Sequence, residues 1–352
     1  MGMIKKMVVS QESGLKLQDY RYHLPPELIA QEPLPRRDHS RLMILEREGN
    51  RITESSFYRF PDFLNPGDLL VLNDTRVIPA RLAGRRFNSG GKVEFLLLHR
   101  EDNYHWQAMV RPGRRLRVGS RVEFGSGLEA VVLKDTGGGR RRVEFNQPVE
   151  NLLPQIGKVP LPPYIKKDIG DPDLYQTIYA SRQGSAAAPT AGFHFTPAIF
   201  KALAERQVNH TFITLHIGPG TFQPVKTEQI CRHIMHREYF DISVQTAEKI
   251  NQVKNNGGKV VAVGTTSCRV LETVARCDSR VESRAGWTDL FIYPGYRFKA
   301  VDALLTNFHL PCSTLLMLVS AYGGLGFIQE AYRVAVDKRY RFYSFGDCML
   351  VL

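Results

Sequence analysis

The chain has 352 residues, 43% hydrophobic and 23% charged, with 47 Lys/Arg against 35 Asp/Glu, a formal charge of +12 and a pI near 9.5. That length suits about two domains with substantial cores, and the composition excludes global disorder. The basic balance favours a polyanionic partner, nucleic acid first, with solubility charge as the plainer account.

Five cysteines, Cys231, Cys268, Cys277, Cys312 and Cys348, include no CxxC pair. This argues against a disulfide framework, a zinc ribbon and a cysteine-held iron–sulfur cluster. The opening "MGMIKKMVVSQESG" has charges but no apolar stretch of secretory length, so it reads as a frayed extension of a cytoplasmic protein. A strand follows at "RLMILE". In "GDLLVLNDTRVIPARLAG" the quartet Asn73, Asp74, Thr75 and Arg76 interrupts an apolar run. Turn chemistry explains Asn and Asp but not all four, and this is where a domain junction is expected, the kind of place that holds ligands.

From Arg76 to Phe145 fifteen Lys/Arg stand against seven Asp/Glu, so this fifth of the chain carries +8 of the total charge. It is also a series of short strands, "KVEFLLLHR", "HWQAMVRPG", "SRVEFG", "LEAVVLKD" and "RRVEFN", separated by turn residues, with "DTGGGRRR" as a hairpin tip. A Pro-rich connector, "NLLPQIGKVPLPPYIKKD", leads into alternating helices and strands. "TPAIFKALAERQ" opens with an N-cap threonine and a first-turn proline. "HTFITLHI", "TAEKINQVKNNGG", "KVVAVG" and "TSCRVLETVAR" continue the βα alternation. The expected fold is therefore an α/β, barrel-like main domain from 1–74 and 152–352, with a small basic all-β barrel inserted over 75–151. "STLLMLVSA" is a capped core helix, far short of the roughly 20 apolar residues of a membrane span.

Three histidines share polar and glycine-rich settings at the ends of expected strands: His194 in "PTAGFHFTP", His216 in "TLHIGPGTF" and His309 in "TNFHLP". Loops after strand ends are where α/β folds bind ligands. A single such histidine is more often packed and hydrogen-bonded than reactive; three in similar surroundings point to a site. "CRHIMHRE" brings Cys231, His233, His236 and Glu238 together, with the two histidines on one face of a short helix, but without an established zinc spacing. "VVAVGTTS" lacks a nucleotide fingerprint, yet it is a strand entering a hydroxyl-rich helix start suited to a carboxylate or ribose hydroxyls. Simple capping by Thr266 or Ser267 is the competing explanation.

The blocks "NDTRVIPARL", "SAAAPTAGFHFT", "LHIGPGTFQPV", "MHREYF", "AVGTTSCRVLE", "TDLFIYPGYRF", "LLTNFHLPCSTLLMLVSAYGG" and "YRFYSFGDCML", in order over about residues 16 to 352, resemble the S-adenosylmethionine:tRNA ribosyltransferase-isomerase family of queuosine biosynthesis. The resemblance implies transfer and isomerisation of the ribosyl part of S-adenosylmethionine onto 7-aminomethyl-7-deazaguanine at the tRNA wobble position. Epoxyqueuosine-tRNA forms, and adenine and methionine leave. S-adenosylmethionine would be a co-substrate, with no permanently bound cofactor, no metal and no membrane partner; a monomer is compatible with the sequence. On this resemblance His194, His216 and His309 form the acid–base pool, with Asp74 as a carboxylate partner. Thr265, Thr266, Ser267, Tyr293, Asn307 and Asp347 become candidate donor contacts, and Arg76, Arg111, Arg114, Arg115, Arg117, Arg140, Arg141 and Arg142 an RNA clamp. Two rivals remain at this point. A non-catalytic RNA-binding protein explains the charge but not the polar blocks, and a metal-dependent hydrolase would centre on Cys231, His233 and His236.

Overall fold

In the computed structural model residues 14–167, 169–218 and 225–352 are described. The N-terminal extension, apart from Gly14, and the "PGTFQP" part of the turn after Gly218 lie outside them. The described residues form two compact units. The first holds those up to Asn73, Pro189–Leu215 and those from Val225 onward; the second holds Asp74–Ala188 with His216 to Gly218. The second unit's main stretch runs from Asp74 to Ala188.

Along the chain, β1 (Arg41–Glu46), β2 (Arg51–Ser56) and β3 (Leu69–Asn73) come first. The second unit contributes β4 (Thr75–Val77), β5 (Arg81–Arg86), β6 (Lys92–Arg100), β7 (His105–Arg111), β8 (Arg121–Glu123), β9 (Glu129–Gly137), β10 (Arg140–Phe145), α1 (Leu153–Ile156), β11 (Gly157–Lys158) and β12 (Arg182–Ser185). The first unit resumes with α2 (Pro197–Glu205), β13 (Asn209–Leu215), β14 (Glu238–Ile242), α3 (Val244–Asn255), β15 (Val260–Val263) and α4 (Gly264–Val274). It ends with β16 (Arg284–Thr288), β17 (Ala303–Asn307), α5 (Thr314–Gly323), α6 (Leu325–Asp337) and β18 (Cys348–Val351).

Among the described residues the first unit is built on a nine-stranded sheet in the spatial order β16, β14, β13, β3, β15, β17, β18, β1, β2. It is an open mixed sheet in which β13, β3, β15 and β17 run parallel side by side. β3, β15 and β17 are buried at every position. Their unbroken apolar runs, "LLVL", "VVAV" and "ALL", are what parallel strands covered on both faces require. The helix starts follow the expected chemistry. Thr196 accepts from the Ile199 N–H ahead of Pro197, Ser243 from Thr246 and Ser313 from Leu316. Among the described residues no helix is long and apolar enough to cross a membrane.

In the second unit β5, β6, β7, β10, β9 and β8 pair in that order, and β8 closes back onto β5 to make a six-stranded antiparallel barrel. Closure removes exposed sheet edges. Alternate residues point inward, Val93, Phe95 and Leu97 on β6 meeting Trp106, Ala108 and Val110 on β7 in a single apolar core. The β9–β10 hairpin turns at Gly138 and Gly139, whose φ values of 60° and 80° suit the primed turns that match strand twist.

Two local expectations fail. "CRHIMHRE" is not a helix carrying both histidines: Ile230–Arg232 is a single tight turn and the chain then extends into β14. "DLFIYPG", whose residues read as a strand with a turn, is not a strand either. Side chains take its backbone groups, with Arg269 Nε donating to the Leu290 carbonyl and the Leu290 N–H donating to Thr288 Oγ1. Tyr293 then enters a turn closed by the Tyr296 N–H on its carbonyl.

Candidate functional site

The carboxyl ends of parallel strands are the ligand-binding edge of an open α/β sheet. In the first unit that edge carries Asn73 on β3, Asn307 on β17, and Gly264 to Ser267 after β15. Asn73 is fully buried: its Nδ2 donates to the Leu215 carbonyl at 3.0 Å and to Thr266 Oγ1 at 3.3 Å, while its Oδ1 accepts the Leu215 N–H at 3.0 Å. This ties three strand ends together. Thr266 and Ser267 do not cap α4, which has no side-chain cap; Gly264, at φ +86°, makes the turn instead. Among the described residues the buried Ser267 hydroxyl has no hydrogen-bond partner, and Thr265 is buried beside it in sequence.

His194 ends a tight turn, Thr190–His194, that leads into α2. Its Nδ1 lies 2.7 Å from Ser40 Oγ and its Nε2 3.3 Å from Asn307 Oδ1. Asn307 donates through Nδ2 to the Tyr343 carbonyl at 2.8 Å, which leaves only its oxygen for the imidazole. Nε2 therefore carries the ring proton, and Nδ1 accepts from the Ser40 hydroxyl. Burial drives the His194 pKa down to about 4; the Asn307 contact opposes this, and the Arg37 and Arg341 charges add to it. Ser40 and His194 stand in the wall of a small pocket, with Arg37, Phe193, Phe345 and Gly346 around them.

His309 is held after β17. Its Nε2 lies 2.9 Å from Thr306 Oγ1, its N–H donates to Tyr332 Oη at 2.9 Å, and its carbonyl accepts from Tyr22 Oη at 2.5 Å. Burial alone moves its pKa down to about 3. Both backbone groups are thus fixed by a rigid aromatic mount, in which Phe308 packs edge-on to Tyr332.

His216 belongs to the second unit, where its Nδ1 meets Thr75 Oγ1 at 2.7 Å. Burial lowers its pKa to about 4, with His99 adding to the effect. Gly184, at φ +138°, makes room for the ring, since a Cβ there would stand 2.8 Å from Nε2. Asp74, in the same unit, accepts from Ser181 Oγ at 3.1 Å, and Arg76 pairs with Asp173 at 3.1 Å.

Three expected contacts are already engaged. The buried Asp347 carboxylate accepts the N–H groups of Arg41 and Arg341, each at 2.8 Å, and burial raises its pKa against those two bonds. Arg141 points into the barrel with 6% of its surface exposed, donating to the Leu116 and Gly113 carbonyls and to Asp135. Arg142 is ion-paired with Glu101 at 2.6 Å. Arg111, Arg114, Arg115 and Arg117 are exposed on β7 and the turn after it, with no ion pair among the described residues. Tyr293 is half-buried, its ring 5.0 Å from Phe291. Glu238, one of the four possible metal ligands, forms a buried pair with Arg269, and His233 packs edge-on against Phe291. Among the described residues no group of three or more His, Cys, Asp or Glu is placed to hold a metal.

A family model described as queuosine biosynthesis protein matches residues 17–351. The chain belongs to the queuosine biosynthesis protein family. Within it, the chain is 54% identical over 342 residues to the S-adenosylmethionine:tRNA ribosyltransferase-isomerase of Moorella thermoacetica, covering 96% of this chain and all of that one. It is 51% identical over 340 residues to the enzyme of the same name from Clostridium kluyveri, with the same coverage. A crystal structure of an S-adenosylmethionine tRNA ribosyltransferase from Thermotoga maritima matches with a TM-score of 0.56 and 40% identity, covering 95% of this chain and all of that one.

For this family member sequence reasoning named the histidines but missed what orients them. Ser40, Thr306 and Gly184 were not singled out, and Thr75 entered only as part of a polar quartet. Each imidazole has a hydroxyl within 2.9 Å. With pKa values near 3 to 4, all three rings are neutral at physiological pH. Such rings are weak bases, far from the matched pKa that general-base catalysis favours, but good fixed donors and acceptors.

Proposed function

We propose that this protein uses S-adenosylmethionine as a ribosyl donor to tRNA carrying 7-aminomethyl-7-deazaguanine at the wobble position. The products are epoxyqueuosine-tRNA, adenine and methionine, and the reaction runs in the cytoplasm, where donor and tRNA both occur. The observation that carries this reading is the 54% identity over 96% of the chain to an enzyme so named.

The chemistry is compatible with the site. A sulfonium is already an activated leaving group, so displacement at the adjacent carbon needs chiefly a free amine and correct approach. An alkylammonium is mostly protonated at neutral pH, and neutral surroundings favour its basic form over a further cation. Neutral His194 and His309 add no positive charge to a reaction that already contains a sulfonium. Later steps remove a carbon-bound proton, release adenine and close a ring, so hydroxyl–imidazole pairs able to pass a proton are useful. Arg111, Arg114, Arg115 and Arg117 form the part of the barrel surface best suited to phosphates, which position RNA without reading its sequence.

The test is incubation of purified protein with S-adenosylmethionine and precursor tRNA, followed by mass analysis of digested nucleosides and of released adenine and methionine. Adenine release that requires the aminomethyl base, together with epoxyqueuosine in the tRNA, is the expected result. Methyl transfer, or adenine release without tRNA, would overturn the reading.

A further inference from the structure

The strand registers gather the β5–β6 hairpin tip, the turn after β7, the start of β8 and the β9–β10 hairpin tip at one end of the barrel. Arg85 lies opposite Lys92, Glu94 opposite Arg111, Arg86 opposite Val122 and Arg140 opposite Met109. Charge divides along the same axis. Toward the other end the arginines are spent on carboxylates, Arg100 on Glu150 at 2.7 Å and Arg142 on Glu101 at 2.6 Å. At the first end Arg85, Arg86 and Lys92, like the arginines of the turn after β7, have no ion pair among the described residues. Together they outnumber the carboxylates of the neighbouring strands, Glu94 on β6, Glu123 on β8 and Glu129 on β9.

Phe87 stands on this basic rim. Among the described phenylalanines it alone is exposed, with 57% of its surface in water. A lone exposed apolar residue needs no explanation; this one is fixed in place and set among charges. Its N–H donates to the Arg121 carbonyl at 3.0 Å, and the loop it opens is closed by the Ser89 and Gly90 N–H groups on the Arg86 carbonyl at 3.3 and 2.8 Å. The Arg121 guanidinium lies over the ring, 5.0 Å from its centroid, and is itself held by Glu129 at 2.9 Å. The ring is thus backed by a cation while more than half of the residue stays in water. A second exposed apolar residue, Val118, follows Arg117 in the connection that leads to Arg121.

An aromatic ring among unpaired cations is the arrangement that holds unpaired nucleotides, because phosphates take the charges and a base stacks on the ring. Duplex RNA offers such a surface phosphates and 2′-hydroxyls, its bases being already stacked on one another. We propose that Phe87 is a stacking platform for one unpaired base of RNA, so that this end of the barrel prefers a single-stranded loop to a duplex. Every base has a π-face, so the contact selects unpaired over paired and not one base over another. The inference rests on the function proposed above in taking tRNA as the partner. To the arginine clamp it adds a reason to engage tRNA at a loop and not along a helix.

Fluorescence anisotropy of labelled RNA tests this with the full chain and no S-adenosylmethionine, comparing a hairpin that has an unpaired loop with a blunt duplex of equal nucleotide number. Phe87→Ala, in a protein that melts like the parent, should weaken hairpin binding at least about fivefold at fixed salt. It should leave duplex binding and the slope of log affinity against log salt at their parental values, since no phosphate contact is lost. Phe87→Tyr keeps the ring and should keep the parental affinity, which separates stacking from a disturbed loop. Parental hairpin affinity in Phe87→Ala, or an equal loss for hairpin and duplex, overturns the platform. So does a sedimentation result in which Phe87→Ala abolishes self-association of the parent and leaves RNA binding intact, since the ring then faces a second copy of the chain. Binding is read without donor chemistry, so the two readings fail separately. A protein that stacks the loop but forms no epoxyqueuosine keeps the platform and loses the proposed reaction; the opposite outcome removes only the platform.

Discussion

Asn307 faces His194 with its oxygen, 3.3 Å from Nε2, because its nitrogen is committed to the Tyr343 carbonyl. That single orientation sets the tautomer of the imidazole and the direction of the Ser40 hydrogen bond. In Asn307→Asp a carboxylate replaces the amide, which stabilises the imidazolium and leaves an oxygen against the Tyr343 carbonyl. The His194 pKa should rise from about 4, and the thermal transition should fall. Imidazole ¹⁵N shifts followed from pH 3 to 8 measure the first effect. An unmoved pKa would contradict the tautomer assigned here.

Acid should destabilise the first unit before ordinary carboxylate protonation begins. The ordinary histidine pKa is 6.5, and His194 and His309 sit at about 4 and about 3 in the folded protein. Between those values and 6.5 the unfolded chain binds more protons than the folded one, so stability is complete above about pH 6.5 and is lost as pH falls. Each shift is worth at most roughly 3 to 5 kcal/mol. Urea midpoints measured from pH 8 to 4.5 should therefore decline, and His194→Gln should flatten part of that decline. A midpoint independent of pH over this range would show that the buried rings do not remain neutral.

Gly184 is the residue that admits His216. A Cβ at this position meets Nε2 at 2.8 Å and must also adopt φ +138°, which L side chains avoid. Gly184→Ala should cost about 1–3 kcal/mol of stability and lower kcat more than tenfold if His216 takes part in turnover. Thr75→Val, which removes the hydroxyl oriented toward Nδ1, should reduce kcat and lower the thermal transition, since the buried ring nitrogen loses its partner. Parental kcat in both variants would assign His216 a purely structural place.

Much of this was legible in the chain. The barrel strands were found from period-two patterning, and the helix starts from Ser or Thr placed ahead of the first turn. The same period contains the correction to the clamp. With Arg140 and Arg142 on one face of β10, Arg141 must lie on the other, where it crosses to Ala108 and enters the barrel. Ser40 was not legible, because "RDHSR" reads as a polar turn and its partner His194 is 154 positions away. Asp347 was a candidate only through the resemblance, and its work on two backbone N–H groups depends on a turn that no local pattern reveals. "DLFIYPG" misled because its β-type composition was outweighed by Arg269 and Thr288, which take its backbone groups.

The exposed arginines next to the barrel and the buried one should separate cleanly. Arg114, Arg115 and Arg117 stand on the surface after β7, so reversing all three should weaken tRNA binding about equally for all sequences. It should also reduce the slope of log affinity against log salt by about 2 to 3. Arg141→Ala removes donors from the Gly113 and Leu116 carbonyls and from Asp135. It should lower the thermal transition, with a cost of about 1–3 kcal/mol for the carbonyls left buried, and leave the salt slope unchanged. Filter binding from 50 to 300 mM salt, paired with calorimetry, distinguishes the two. A salt slope that responds to Arg141→Ala and not to the triple reversal would move the RNA surface away from the turn after β7.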